Sequence, residues 1–125
     1  MNISIQQGLP YVSAILHYQG RDLSLATVLL DTGSAGTVFS VDKLLKIGVR
    51  LEPHDVVHRI YGVGGAEFVF MKQLDRLSVG DLVLENFEVE VGAMKYGIAL
   101  DGILGMDFLL QISAVIDLAS LEISR

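Results

Sequence analysis

Residues Leu25-Ala26-Thr27-Val28-Leu29-Leu30 form an apolar run that stops abruptly at Asp31-Thr32-Gly33-Ser34, a carboxylate followed by two hydroxyls and a glycine. Apolar runs of this length with β-branched content, closed by turn residues, are buried strands that feed tight loops. Asp31 is therefore expected where the chain leaves the core. A carboxylate there is costly unless it is hydrogen-bonded, paired or shared, and Thr32, Gly33 and Ser34 bring hydroxyls and backbone N–H groups near it. Asp-x-Gly also opens many ordinary turns, so these four residues alone do not separate a catalytic Asp31 from one that merely opens a turn.

The rest of the chain reads as short strands punctuated by glycines. Tyr11 to Tyr18 is strand-like, and Gly20-Arg21-Asp22 turns it into the run that ends at Asp31, with His17 on the strand surface. Thr37 to Phe39 is a further short strand. Ser40 then caps a brief helix that Gly48 ends, with Asp42 in the first turn where the helix dipole favours an anion. His54 to Tyr61 and Ala66 to Phe70 are strands joined by Gly62-Val63-Gly64-Gly65. Glycines at such a tip permit positive φ and close backbone approach. No helix follows them and no Lys-Ser/Thr pair is present, so a phosphate cradle is disfavoured. Leu74 to Val79 turns at Gly80-Asp81 into Leu82 to Leu84, and Phe87 to Val91 alternates apolar with acidic. Glu88 and Glu90 are expected on a solvated face. Near the C-terminus, Ile103-Leu104-Gly105 precedes a helix-like run. Ala114 to Asp117 and Leu121 to Ser124 form a terminal hairpin around Ala119-Ser120.

Composition removes several function classes. A chain of 125 residues, 51% of them hydrophobic, suits one domain spanning 1–125 with its own core. A net charge of -6 with only nine Lys and Arg leaves no basic face for nucleic acid, so partners should be peptides or proteins. The absence of cysteine excludes disulfides and thiol catalysis. His54 and His58 would lie ~13 Å apart along a strand, which argues against a zinc pair, and no metal or other cofactor is expected. The N-terminus lacks a basic, then apolar, leader pattern, and no uncharged apolar stretch reaches the ~18 residues that span a bilayer. The expectation is a cytoplasmic protein without membrane contact.

Asp31-Thr32-Gly33-Ser34 after an apolar strand, the glycine-rich hairpin at Tyr61 to Gly65, Ile103-Leu104-Gly105 and the short helix after it together resemble the retropepsin-like aspartic peptidases of the single-domain bacterial or cellular type. The resemblance covers most of the chain from residue 11 onward. It implies an all-β, single-lobe acid-protease fold, a closed barrel-like arrangement with a flap hairpin and one or two short helices. It further implies that Ile103 and Leu104 wall the Asp31 loop, that Gly105 allows close packing, and that the helix supports the site from beneath. Gly62, Val63, Gly64 and Gly65 would give flap backbone hydrogen bonds to substrate; the place of the Tyr61 ring is left open. Retroviral members carry a paired acid and arginine where this chain has Ala35 and Met106. Both partners are missing together, so no charge is stranded, but dimer construction need not follow the viral pattern.

Aspartic peptidase chemistry needs two carboxylates that share a proton, one activating water and the other protonating the scissile carbonyl. One such signature is present. Asp101 reads as a turn residue and Asp107 as a helix-start residue. The second carboxylate must then come from another copy of the chain, a homodimer with the site on its axis. By the resemblance, Asp31 of each subunit forms the dyad and Thr32 bonds across the axis. Gly33 accepts from the peptide, and Ser34 donates to the outer oxygen of Asp31. Leu29, Leu100 and Ile103 are candidate pocket walls, implying endopeptidase cleavage between apolar residues, with Asp101 able to bias one subsite toward a basic or polar residue. The alternative is a non-catalytic peptide-binding or dimerisation module with the same fold.

Overall fold

A computed structural model describes residues 1–62, 65–94 and 98–125. The strands are β1 (Ser4–Gln6), β2 (Leu9–Tyr18), β3 (Arg21–Leu30), β4 (Val38–Ser40), β5 (Val57–Gly62), β6 (Gly65–Val79), β7 (Leu82–Gly92), β8 (Gly102–Leu104), β9 (Val115–Asp117) and β10 (Glu122–Ser124). Helix α1 (Val41–Leu44) runs into a 3-10 turn, Leu45–Ile47, and α2 (Met106–Gln111) follows β8. The Ser40 hydroxyl accepts from the Lys43 N–H at the start of α1, and Gly48 closes the turn at φ 82.

Eight strands hydrogen-bond in the order β1-β2-β3-β8-β4-β7-β6-β5, and β2 also pairs with β6. That extra pairing joins β2, β3, β8, β4, β7 and β6 into a closed ring, which removes most free edges. β9 and β10 form a separate two-stranded sheet. The expected all-β retropepsin-like arrangement with short helices is the one observed. No helix among the described residues is long and apolar enough to cross a membrane.

Period-two alternation splits the apolar side chains into two sets. Leu16, Val28, Leu30, Phe39, Leu74, Leu77, Val89, Val91, Leu104 and Phe108 belong to the main core, where the Phe87 and Phe108 rings meet edge to face at 5.8 Å. Leu29, Val38, Ile60, Val69, Met94, Leu100 and Ile103 form a second cluster on the opposite face of the same strands.

Three local expectations change. The runs expected as separate strands at Ala66 to Phe70 and Leu74 to Val79 are one strand, β6, because β7 pairs along it from Phe70 to Val79. Leu82 to Leu84 and Phe87 to Val91 likewise merge, with Asn86 at φ 52. His54 lies outside β5. The Asp55 carboxylate accepts the Glu52 N–H at 2.7 Å and the Asp55 N–H donates to the Glu52 carbonyl, so a turn holds the chain until Val57.

Candidate active site

Asp31 follows directly on β3. Its N–H donates to the Leu104 carbonyl at 3.0 Å, continuing the parallel β3–β8 pairing in which Leu29 faces Ile103 and Leu30 faces Leu104. The carboxylate is half-buried, and Oδ1 accepts from the Gly33 N–H at 2.9 Å. Thr32 and Gly33 are exposed at the tip. The Ser34 hydroxyl donates to the Gly36 carbonyl at 2.7 Å, not to Asp31. The loop folds back on itself there, and a carbonyl two residues away captures the one hydroxyl proton first.

The loop is then fastened to the end of β8 and the start of α2. Met106 N–H donates to the Ser34 carbonyl at 2.8 Å and Asp107 N–H to the Ala35 carbonyl at 3.2 Å. A Cβ on Gly105 would lie 2.6 Å from the Gly36 carbonyl carbon and 2.9 Å from the Ser34 oxygen, so close packing there requires the glycine, as expected. Thr37, fully buried, donates its hydroxyl to Asp107 Oδ1 at 2.7 Å and its N–H to Oδ2 at 3.2 Å, while its hydroxyl oxygen accepts the Gly105 N–H at 3.1 Å. Asp107 thus does more than open α2. Neither Ala35 nor Met106 carries charge, and these neutral and charge-assisted hydrogen bonds fasten the same junction.

Leu29, Leu100 and Ile103 are brought together in the second apolar cluster, beside Ile60 and Val69 of the β5–β6 hairpin. Leu104 points the other way, into the main core, so it does not wall the site. Gly62 and Gly65 pair with each other at the hairpin end; Val63 and Gly64 lie outside the described residues. Tyr61 alternates away from Ile60 and is 77% exposed, with the Arg59 guanidinium 5.7 Å from its ring and 5.6 Å from that of Phe68. Asp101 is more than a turn residue: Oδ2 accepts from the Thr27 N–H at 3.0 Å and Oδ1 lies 3.6 Å from Lys43 Nζ. Its carboxylate is engaged between β3 and α1.

Glu88 is exposed as expected, but Glu90 is not. β4 pairs with β7 only from Glu90 onward, so the segment leading into β4 covers Glu90 and leaves Glu88 bare. Burial, reinforced by the Asp107 carboxylate and opposed by His58, raises the Glu90 pKa above its ordinary 4.5.

Glu52, His54 and Asp55 place three ligand atoms within 4.8 Å of one another. The buried Lys72 ammonium binds both Glu52 and Asp55, the latter at 2.8 Å, so a protein cation already neutralises that group. Sequence reading gives Thr37 only a strand, Asp107 only a helix start and Glu90 only a solvated face, and does not show how they pack around the loop. Each depends on a partner far along the chain.

The sequence model described as aspartyl protease matches residues 19–108. In structure the chain is similar to a retropepsin-like aspartic protease from Rickettsia conorii, with a TM-score of 0.68 and 20% sequence identity over 99% of this chain and 97% of that one. The search of curated proteins finds no match. Because the matched span starts at the turn before β3 and ends inside α2, it holds both the Asp31 loop and the groups that brace it, and the chain belongs to the aspartyl protease family, an aspartic peptidase with the retropepsin-like fold.

Proposed function

We propose that two copies of the chain hydrolyse peptide bonds at a shared site on a twofold axis, with Asp31 from each copy. One carboxylate takes a proton from the attacking water while the other protonates the scissile carbonyl, and the pair titrates jointly. The observation that carries this reading is the state of the carboxylates around the loop. Asp107 is bound by Thr37, and Asp101 by the Thr27 N–H with Lys43 beside it. Asp31 Oδ1 accepts the Gly33 N–H, while no donor among the described residues reaches Oδ2. Asp31 is thus the carboxylate on the loop itself that keeps a free oxygen, and in this reading symmetry supplies its partner from a second copy.

In this reading Thr32 bonds across the axis and Gly33 leaves room for the peptide and accepts from it. The Gly62 to Gly65 tip covers the substrate with backbone groups. Leu29, Leu100 and Ile103 receive apolar side chains, so cleavage falls between apolar residues.

Subunit mixing tests the shared dyad. Asp31→Asn protein, inactive by itself, should poison the wild type when the two are refolded together, because each hybrid holds one carboxylate. Activity should fall as the square of the wild-type fraction, and specific activity should drop on dilution as dimers separate. Activity that falls only in proportion to the wild-type fraction, with turnover unchanged in a monomeric range, would overturn the dimer.

A further inference from the structure

Strand register places four side chains in one row across the sheet. Leu29 on β3 pairs with Ile103 on β8, Ile103 with Val38 on β4, and Val38 with Glu90 on β7. The first three belong to the second apolar cluster, on the face away from the main core. Val89 and Val91 are in the main core, so Glu90 between them projects onto that same face. The row thus begins two residues before Asp31, crosses the apolar floor and ends in a carboxylate. Three strand spacings put Glu90 ~14 Å from Leu29, a distance that an extended peptide at ~3.4 Å per residue covers in about four residues.

Glu90 lies against the active-site loop. A Cβ on Gly36 would sit 2.9 Å from Glu90 Oε1 and 3.2 Å from its Cδ. The other carboxylates near this face are engaged: Glu67 Oε1 accepts from the Met94 N–H at 3.4 Å, Asp107 binds Thr37, and Asp101 binds the Thr27 N–H. No hydrogen-bond donor or ion-pair partner among the described residues reaches the Glu90 carboxylate. The titratable groups that influence it are Asp107 on α2 and His58 on β5; β4 contributes none, and its β6 neighbour is Met71.

We propose that Glu90 is a specificity-determining residue: its carboxylate ends an otherwise apolar groove and receives the cationic side chain of a lysine or arginine in the substrate, in an outer subsite between Gly36 and His58. This rests on the peptidase reading and narrows its substrate class from apolar peptides to peptides with an apolar scissile pair and a basic residue several positions away. The driving force is physical. A half-buried carboxylate with no donor is poorly solvated, and a bound ammonium or guanidinium supplies the charge-assisted hydrogen bonds that the protein omits. Asp107 adds attraction for the same cation. A glutamate in that substrate position would meet two negative charges instead. Since burial raises the Glu90 pKa, the preference for a cation should strengthen as pH rises through the carboxyl range and Glu90 ionises.

The test compares peptides with one scissile pair and norleucine, lysine, arginine or glutamate at each flanking position in turn. At one outer position, kcat/KM for lysine or arginine should exceed that for norleucine by about tenfold, as expected for a hydrogen bond to a charged group. The ratio should grow with pH and fall to about one in Glu90→Gln. Glu90→Asp should retain part of it. The same norleucine and lysine pairs built on a statine-containing peptide, measured by calorimetry, read the contact without turnover. If turnover is absent but lysine still binds more tightly and Glu90→Gln removes the difference, the hydrolytic reading fails and the subsite stands. Equal lysine-to-norleucine ratios in wild type and Glu90→Gln, at every position and pH and in both formats, overturn the subsite.

Discussion

The Asp107 carboxylate accepts twice from Thr37, from its hydroxyl at 2.7 Å and from its backbone N–H at 3.2 Å, across 70 residues of sequence. The same hydroxyl oxygen accepts the Gly105 N–H at 3.1 Å. One buried side chain therefore connects the far end of the Asp31 loop to the turn between β8 and α2. The loop's geometry depends on this junction, since Asp31 itself is held by only short-range contacts and one β8 carbonyl.

Thr37→Val keeps the side-chain shape and removes the hydroxyl. The Gly105 N–H and Asp107 Oδ1 then each lose a partner in a buried place, at a cost of about 1–3 kcal/mol. Thermal unfolding should shift down accordingly and kcat/KM should fall with it, while Thr37→Ser restores both. An unchanged unfolding temperature in Thr37→Val would remove this junction from the account of the site.

Gly105→Ala places a methyl group against the backbone of Gly36 and Ser34, neither of which can rotate away. Overpacking of this kind costs about 1–3 kcal/mol or more, and here the displaced atoms belong to the active-site loop. The expected result is a folded but destabilised protein with activity reduced beyond what the stability loss explains. Chemical denaturation alongside initial rates on a fluorogenic peptide separates the two effects. Full activity at normal stability would contradict the packing seen around Gly105.

Lys72, 6% exposed, anchors the turn before β5 by binding Glu52 and Asp55. The hydrogen bond from Lys72 holds the Asp55 pKa below its ordinary 3.8 in spite of burial. Burial pushes the Lys72 ammonium down, but its bonds to Asp55 and Glu52 outweigh that, and its pKa ends above 10.5. A depressed carboxyl stabilises the fold above its unfolded value, and that contribution is lost as pH falls through the folded value. A raised ammonium stabilises below 10.5, and its contribution is lost as pH climbs through the higher folded value. Lys72→Met should therefore be less stable than wild type between these limits, with the gap narrowing on both flanks. Unfolding temperatures across pH check this; a gap independent of pH would show that the ammonium acts by packing alone.

Much of the fold was legible because its cues are local. The apolar run before Asp31, the hairpin that pairs Gly62 with Gly65 and the cap at Ser40 each act within a few residues, through alternation, chain reversal or a nearby hydrogen bond. The departures from expectation turn on local geometry as well. Pattern alone sends the Ser34 hydroxyl to Asp31, whereas the Gly36 carbonyl accepts it, and pattern alone starts the strand at His54, whereas an Asp55 turn delays it to Val57. The resemblance makes walls of both Leu104 and Ile103, whereas adjacent strand residues face opposite sides of the sheet.

By itself the sequence determined that a carboxylate would stand at the mouth of a buried strand, that glycines would permit a hairpin tip and a close crossing, and that one copy would hold one such signature. Glu88 and Glu90 show where that information ends. Their pattern is identical along the chain, yet one faces water and the other lies beneath Gly36, because β4 begins pairing at Glu90. Alternation fixes which side chains share a face of a strand. Only closure of the ring decides which distant segment covers that face, and with it the charges, partners and packing around Asp31.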